Sequence, residues 1–190
     1  MKKVTLVLAS FLLTSISAMA ATTVGIGNSS FEVKRSHALN AVFSAVNDMP
    51  GFLKNYKPKG AQVSGLSVSG DNLEFTVSKT ILMITKSARV NADVSVDEKN
   101  NSCPQGAVAG FKVNFDLEKS EQVVVDNVDS IRMDFCVSEK TPDQLTITAK
   151  GFLVQGPNYD KLIGGMIVGE ISNQVPALVQ AFKTHIEKQP

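Results

Sequence analysis

The sequence predicts an α+β domain in which a curved antiparallel sheet carries a long C-terminal helix, in the order β-α-α-β6-α. Two patterns point there. Six segments between residues 61 and 154 alternate apolar and polar side chains with period two, the mark of strands with one dry face. The stretch 158–188, "NYDKLIGGMIVGEISNQVPALVQAFKTHIEK", instead repeats Ile163, Ile167, Ile171, Val175, Leu178, Phe182 and Ile186 at spacings of four and three, the period of one helical face. A broad apolar sheet face needs a cover, and this helix is long enough to provide it.

The chain opens MKKVTLVLASFLLTSISAMA. Two lysines, a short apolar run and the small-x-small sequence Ala18–Met19–Ala20 read as a secretory signal peptide, residues 1–20, cut after Ala20. The run is short and rich in Ser and Thr for a membrane anchor, and no cysteine at the cut offers a lipid attachment point. A periplasmic or secreted protein is expected, with residues 21–190 forming a single domain. Without Lys2 and Lys3 the chain holds 17 basic and 18 acidic residues, which gives it no electrostatic footprint for nucleic acid. Beyond the leader, no segment reads as a membrane span.

The elements follow in order. "ATTVGIGNSS" reads as a flexible lead-in and "SFEVKRS" as the first strand. "HALNAVFSAVN" places Leu39, Val42, Phe43 and Val46 on one helical face, with Ser36 as its cap. Pro50 starts a second short helix whose inner face is Phe52, Leu53 and Tyr56. The strands then run "AQVSGLSVS", "LEFTVSKTILMI", "RVNADVSVD", "FKVNFDLEK", "SIRMDFCVSE" and "QLTITAKGFLV", joined by connections short enough for a meander. Asn158 is the expected cap of the final helix, with Asp160 in its first turn. Gly164, Gly165 and Gly169 each weaken that helix by about 1 kcal/mol relative to alanine. Pro176 costs about 3 kcal/mol and predicts a kink. Close packing, space for a bound molecule, or a mobile helix start would each account for these glycines.

Cys103 and Cys136 are the two cysteines, and in an oxidising compartment they read as a disulfide between a loop and a strand. His37 and His185 lie far apart in the sequence, and no spacing suits a metal or cofactor. Both histidines are expected at the surface. Gly-x-Ser-x-Gly, His-Glu-x-x-His, P-loop and Cys–His signatures are missing, so no catalytic residue is assigned.

"SHALNAVFSAVNDMPGFLKNYKPKG" resembles the first-strand-to-helix segment of the START-like helix-grip superfamily, which includes polyketide cyclase/dehydrase, coenzyme Q-binding and lipid-carrier proteins. Val42, Phe43, Asp48, Tyr56 and Pro58 take the places of that family's residues, and the stretch 156–188 resembles its terminal helix. The resemblance implies an internal site for a hydrophobic small molecule or lipid, held between sheet and helix. On that reading Phe75, Val77, Met83, Phe111, Val113, Phe115, Met133 and Phe135 line the sheet side, and Ile163, Met166, Ile167 and Ile171 close it from the helix. Apolar lining with a few polar anchors is what such a ligand requires. The competing expectation is a filled core and an envelope protein that works through its surface.

Overall fold

A computed structural model of the chain describes residues 21–34, 37–56, 62–81, 84–141 and 143–189. The expected leader, residues 1–20, and Ser36, Pro58 and Met83 lie outside the described residues. β1 (Thr23–Lys34) is followed by α1 (Ala38–Asn47) and α2 (Met49–Asn55). Then come β2 (Gln62–Ser69), β3 (Asn72–Ile81), β4 (Ile84–Asp97), β5 (Ala109–Asp116), α3 (Gln122–Val125), β6 (Val128–Thr141) and β7 (Gln144–Gln155). α4 (Lys161–Lys188) ends the described fold. The seven strands form one antiparallel sheet in the order β1-β7-β6-β5-β4-β3-β2, a meander whose last strand returns to the first.

β1 is longer than expected. The lead-in is strand from Thr23 onward, paired with β7 through Thr23–Val154 and Val24–Leu153. Its glycines argue against a strand by propensity, but packing requires them. The register shifts between Gly25 and Gly27, Ile26 is buried, and a Cβ on Gly27 would stand 2.9 Å from Val175 Cγ1 of α4. Gly151 of β7 serves the same end, since a Cβ there would come within 2.8 Å of Ile26 Cγ1. These bare backbones let α4 lie close against β1.

α1 is rotated relative to its predicted face. Ala38, Ala41, Val42, Ala45 and Val46 are buried, while Phe43 is 37% exposed and Leu39 is only half-buried. A row of alanines lets α1 approach its neighbours more closely than a phenylalanine would. In α2, Phe52 and Leu53 are buried and Tyr56, at the C-cap, is half-buried, as the sequence predicts. β3 ends three residues earlier than expected, at Ile81, and β4 starts five residues earlier, at Ile84, the two being paired.

The loop between β4 and β5 folds onto the outer face of the sheet, where Cys103 is bonded to Cys136. Asn100 is buried beneath this loop, and a Cβ on Gly110 would collide with the Cys103 sulfur. The disulfide thus holds the loop over a strand position that only glycine can occupy.

α4 runs without interruption through Pro176. Its N-cap is Asp160, not Asn158: the Asp160 carboxylate accepts from the backbone N–H groups of Leu162 (2.9 Å) and Ile163 (2.8 Å). Asn158 instead donates its backbone N–H and side-chain amide to Asp126. An ionised carboxylate is the better partner for the positive end of a helix. His37 is exposed, in the left-handed region at φ 57°. His185 is not at the surface as expected. Only 19% of its side chain is exposed, its ring packs between Phe52 and Phe182, and Nε2 lies 3.3 Å from Asp48 Oδ2.

Candidate functional site: an apolar groove beside the first half of the closing helix

The inner face of the sheet divides into two regions. Phe111 and Phe135 are cross-strand partners stacked at 4.6 Å, and Phe182 of α4 meets both, at 6.2 and 5.4 Å between ring centroids. Phe52 approaches Phe182 edge-on at 5.3 Å. Val113 and Met133 are buried alongside, as are Val175, Val179 and Ile186. This is a filled aromatic core, and four of the predicted lining residues (Phe111, Val113, Met133 and Phe135) belong to it.

The second region is less deeply buried. α4 lies along β1 and touches β7, while α2 packs against β2 and α3 against β4. On the β2–β4 half of the sheet Leu66, Val68, Phe75, Val77 and Ala88 are half-buried against the core, and Phe115 and Ile131 are half-buried where they pair across β5 and β6. The flank of α4 facing them carries Ile167, Ile171 and Leu178, also half-buried. Ile163 continues that flank and is 44% exposed. Together these half-buried apolar side chains are the candidate lining of a trough between the sheet and the first half of α4.

Of the residues expected on the helix side, Ile167 and Ile171 face this trough. Met166 stands four residues after Leu162 and three before Gly169, so by helical period it shares their outward face. Met83 lies outside the described residues. Two polar residues meet between α2 and α4. The Tyr56 hydroxyl donates to Gln174 Oε1 at 3.5 Å, linking the end of α2 to the middle of α4. Burial pushes the Tyr56 phenol above its usual value of 10.0, so it remains a neutral donor at physiological pH. Sequence reading placed Tyr56 on an inner face but missed Gln174, whose one signal is an amide among aliphatic neighbours on the helix flank.

The glycines of α4 separate in kind. A Cβ on Gly164 would overlap the Tyr159 ring, so close packing accounts for it. Around Gly165 and Gly169 the space is open. With Leu162, which is 74% exposed, they lie on the outward side of α4. The helix is long and apolar enough to cross a membrane by length and composition, with a mean hydropathy of 1.3 in its most apolar window, contrary to the expectation of no such segment. Of that window, 17% is buried.

Two recesses lie elsewhere among the described residues. One of about 480 Å³ on the outer face is lined by Ser95, Asn114, Asp116, Glu118, Asp129 and Ser130. An adjoining one of about 210 Å³ shares Glu118 and Asp129. Neither borders the trough.

No protein-family model and no curated protein matches the chain. Solved structures do. Norcoclaurine synthase from Thalictrum flavum, in complex with dopamine and hydroxybenzaldehyde, aligns over 100% of this chain and 99% of its own at 14% identity and a TM-score of 0.50. A START superfamily protein from Mycobacterium smegmatis aligns over 87% of this chain and 97% of its own, at 13% identity and a TM-score of 0.44. The Zhui aromatase/cyclase from Streptomyces aligns over 88% and 92%, at 11% identity and a TM-score of 0.42. At such identities the likeness speaks to architecture alone. A seven-stranded antiparallel meander closed by one long terminal helix, matched end to end, is the START-like helix-grip fold, and this chain has it.

Proposed function

We propose that the protein is an exported binding or carrier protein for a hydrophobic small molecule or lipid, held in the trough between the sheet and the first half of α4. The observation that carries this reading is the half-burial of Phe75, Val77, Phe115, Ile131, Ile167 and Ile171 at the margin of the core. A domain with no ligand would gain by closing that surface, at roughly 25 cal/mol for each Å² removed from water. START-like folds commonly bind hydrophobic ligands, and the norcoclaurine synthase structure holds two aromatic molecules. The leader with Lys2, Lys3 and a cut after Ala20 supports export to the periplasm. So does the Cys103–Cys136 bond, which an oxidising compartment preserves. Native mass spectrometry of the protein purified from its own periplasm, followed by organic extraction, tests the reading. A co-purifying apolar molecule is expected. No adduct, together with no uptake of lipid or polycyclic probes, overturns it.

One observation favours the second reading, an envelope protein that works through its surface. Leu162, Ile163 and Val123 are large apolar side chains exposed on the described surface, two of them at the start of α4. A protein partner captured through these residues, with the trough empty in the purified protein, would decide for it.

A further inference from the structure

We propose that the surface joining α3 to the start of α4 binds a basic segment of another protein, one that sets an apolar residue beside a lysine or arginine. The proposal is independent of the carrier reading. It rests on the surface reading only in that these apolar side chains meet a protein, and it names the chemistry of what they meet. Val123 of α3 and Leu162 and Ile163 of α4 are exposed apolar side chains. Buried Asn127 joins the two elements: its side-chain amide donates to the Val123 carbonyl (2.9 Å), and its Oδ1 accepts from the Asp160 backbone N–H (3.0 Å). Asn158 is tied to Asp126 at the same joint. The patch is thus held in place before any partner arrives, which lowers the ordering cost of binding. Beside it lies the recess of about 210 Å³, walled by Val125 and Pro157 and rimmed by Glu118, Asp126 and Asp129. Apolar walls under a carboxylate rim suit the long stem and charged tip of one lysine or arginine.

Charge selects the partner. Five of the chain's 18 carboxylates fall between Asp116 and Asp129, with Lys119 as the one cation in that stretch. The Lys119 ammonium is bonded to Asp93, Arg132 pairs with Asp134 at 2.9 Å, and Arg89 with Glu74 at 3.6 Å. Lys161, exposed on the first turn of α4, is one charge against that group. Asp126 accepts from the Gln122 and Asn158 amides and Asp129 from the Ser130 hydroxyl, all neutral donors. Among the described residues no ion pair reaches Glu118, Asp126 or Asp129. A one-signed field of this kind draws cations to the patch. An acidic protein, an anionic lipid headgroup or the same patch on a second copy would meet like charge there.

The test is titration calorimetry with three octapeptides of alternating residues: leucine–lysine, leucine–glutamate and serine–lysine. The leucine–lysine peptide is expected to bind about tenfold more tightly than either of the others, the effect of two or three exposed charge pairs and of apolar burial. Leu162→Ser, and separately Glu118→Gln with Asp129→Asn, should each weaken it about three- to tenfold. Glu98→Gln with Glu139→Gln removes the same charge from exposed positions elsewhere and should leave it unchanged. An unchanged Tm shows that each variant is folded. Equal affinity for the leucine–glutamate peptide, or equal weakening by the distant pair, overturns the basic partner and leaves the surface reading standing. Affinity untouched by Leu162→Ser overturns docking at this patch. So does dimerisation of the protein alone, or sedimentation with phosphatidylcholine vesicles, that Leu162→Ser abolishes. Uptake of N-phenyl-1-naphthylamine, followed in the same variants, reports the trough separately, so the carrier reading stands or falls on its own result.

Discussion

The two halves of α4 differ in nearly every respect while belonging to one helix. From Val175 to Ile186 the inward side chains are buried in an aromatic and aliphatic core, and α1 and α2 close the flank. From Leu162 to Ile171 the inward residues are half-buried, the outward ones apolar, and two of the glycines border empty space. The second half therefore holds the helix in place, and the first half is free to serve something else. A helix-grip domain can assign stability and binding to successive turns of one element.

Substitutions in the two halves should behave oppositely, and the largest effect is expected in the second. Phe182→Ala removes the ring that joins Phe52, Phe111 and Phe135, and should cost about 3–5 kcal/mol in urea denaturation. A loss below 1 kcal/mol would mean that the core is not where α4 is anchored. Next, Gly27→Ala places a methyl 2.9 Å from Val175 Cγ1 and should destabilise by about 1–3 kcal/mol through overpacking. The same change in the first half has the reverse sign. Gly165→Ala and Gly169→Ala meet nothing within 4 Å and should each stabilise by up to about 1 kcal/mol. Stopped-flow uptake of an apolar probe should slow in that double variant if the start of α4 moves to admit a ligand. Unchanged kinetics would make those glycines irrelevant to entry.

The smallest effect lies away from α4. Hydrogen bonding to Lys140 holds the Glu32 carboxyl below its ordinary 4.5, and hydrogen bonding to Lys119 holds Asp93 below 3.8. Both are lowered in the fold, so their stabilisation is complete above the ordinary values and is lost as pH falls through the lowered ones. Both groups are exposed, so the loss should be slight. Lys140→Met should flatten the acid limb of the stability profile below pH 4.5 only marginally, as read by thermal melts across pH.

Much of this division was legible in the residues. Alternation marked the six strands after residue 61, and the run from Ile163 to Ile186 at spacings of four and three marked the closing helix, because both report a continuous dry face. The disulfide was expected from two cysteines and the leader the sequence predicts. What escaped had physical reasons. Gly25 and Gly27 look like a flexible lead-in, and only the approach of Val175 shows why a strand needs them. The β3–β4 reversal falls inside the apolar run "ILMI", which contains no turn-forming residue to betray it. α3 is four residues long, too short for a period to show. Phe43 was placed inside by its size, whereas α1 packs through its alanines. The trough was legible as a set of apolar positions, but which of them are filled by Phe182 and which stay open depends on where α4 lies across the sheet.

The pairing of β1 with β7 has a consequence for how the chain comes to be folded. The first strand to be made finds its partner only when the last strand exists, so the sheet cannot be completed from the N-terminus forward. Long-range pairing of this kind delays folding, because the loop must be closed before the contacts repay it. Until Gln155 has been synthesised, β1 has no edge to join and α4 no surface to lie on. The molecule is thus assembled late and at once, a schedule that suits the export proposed above.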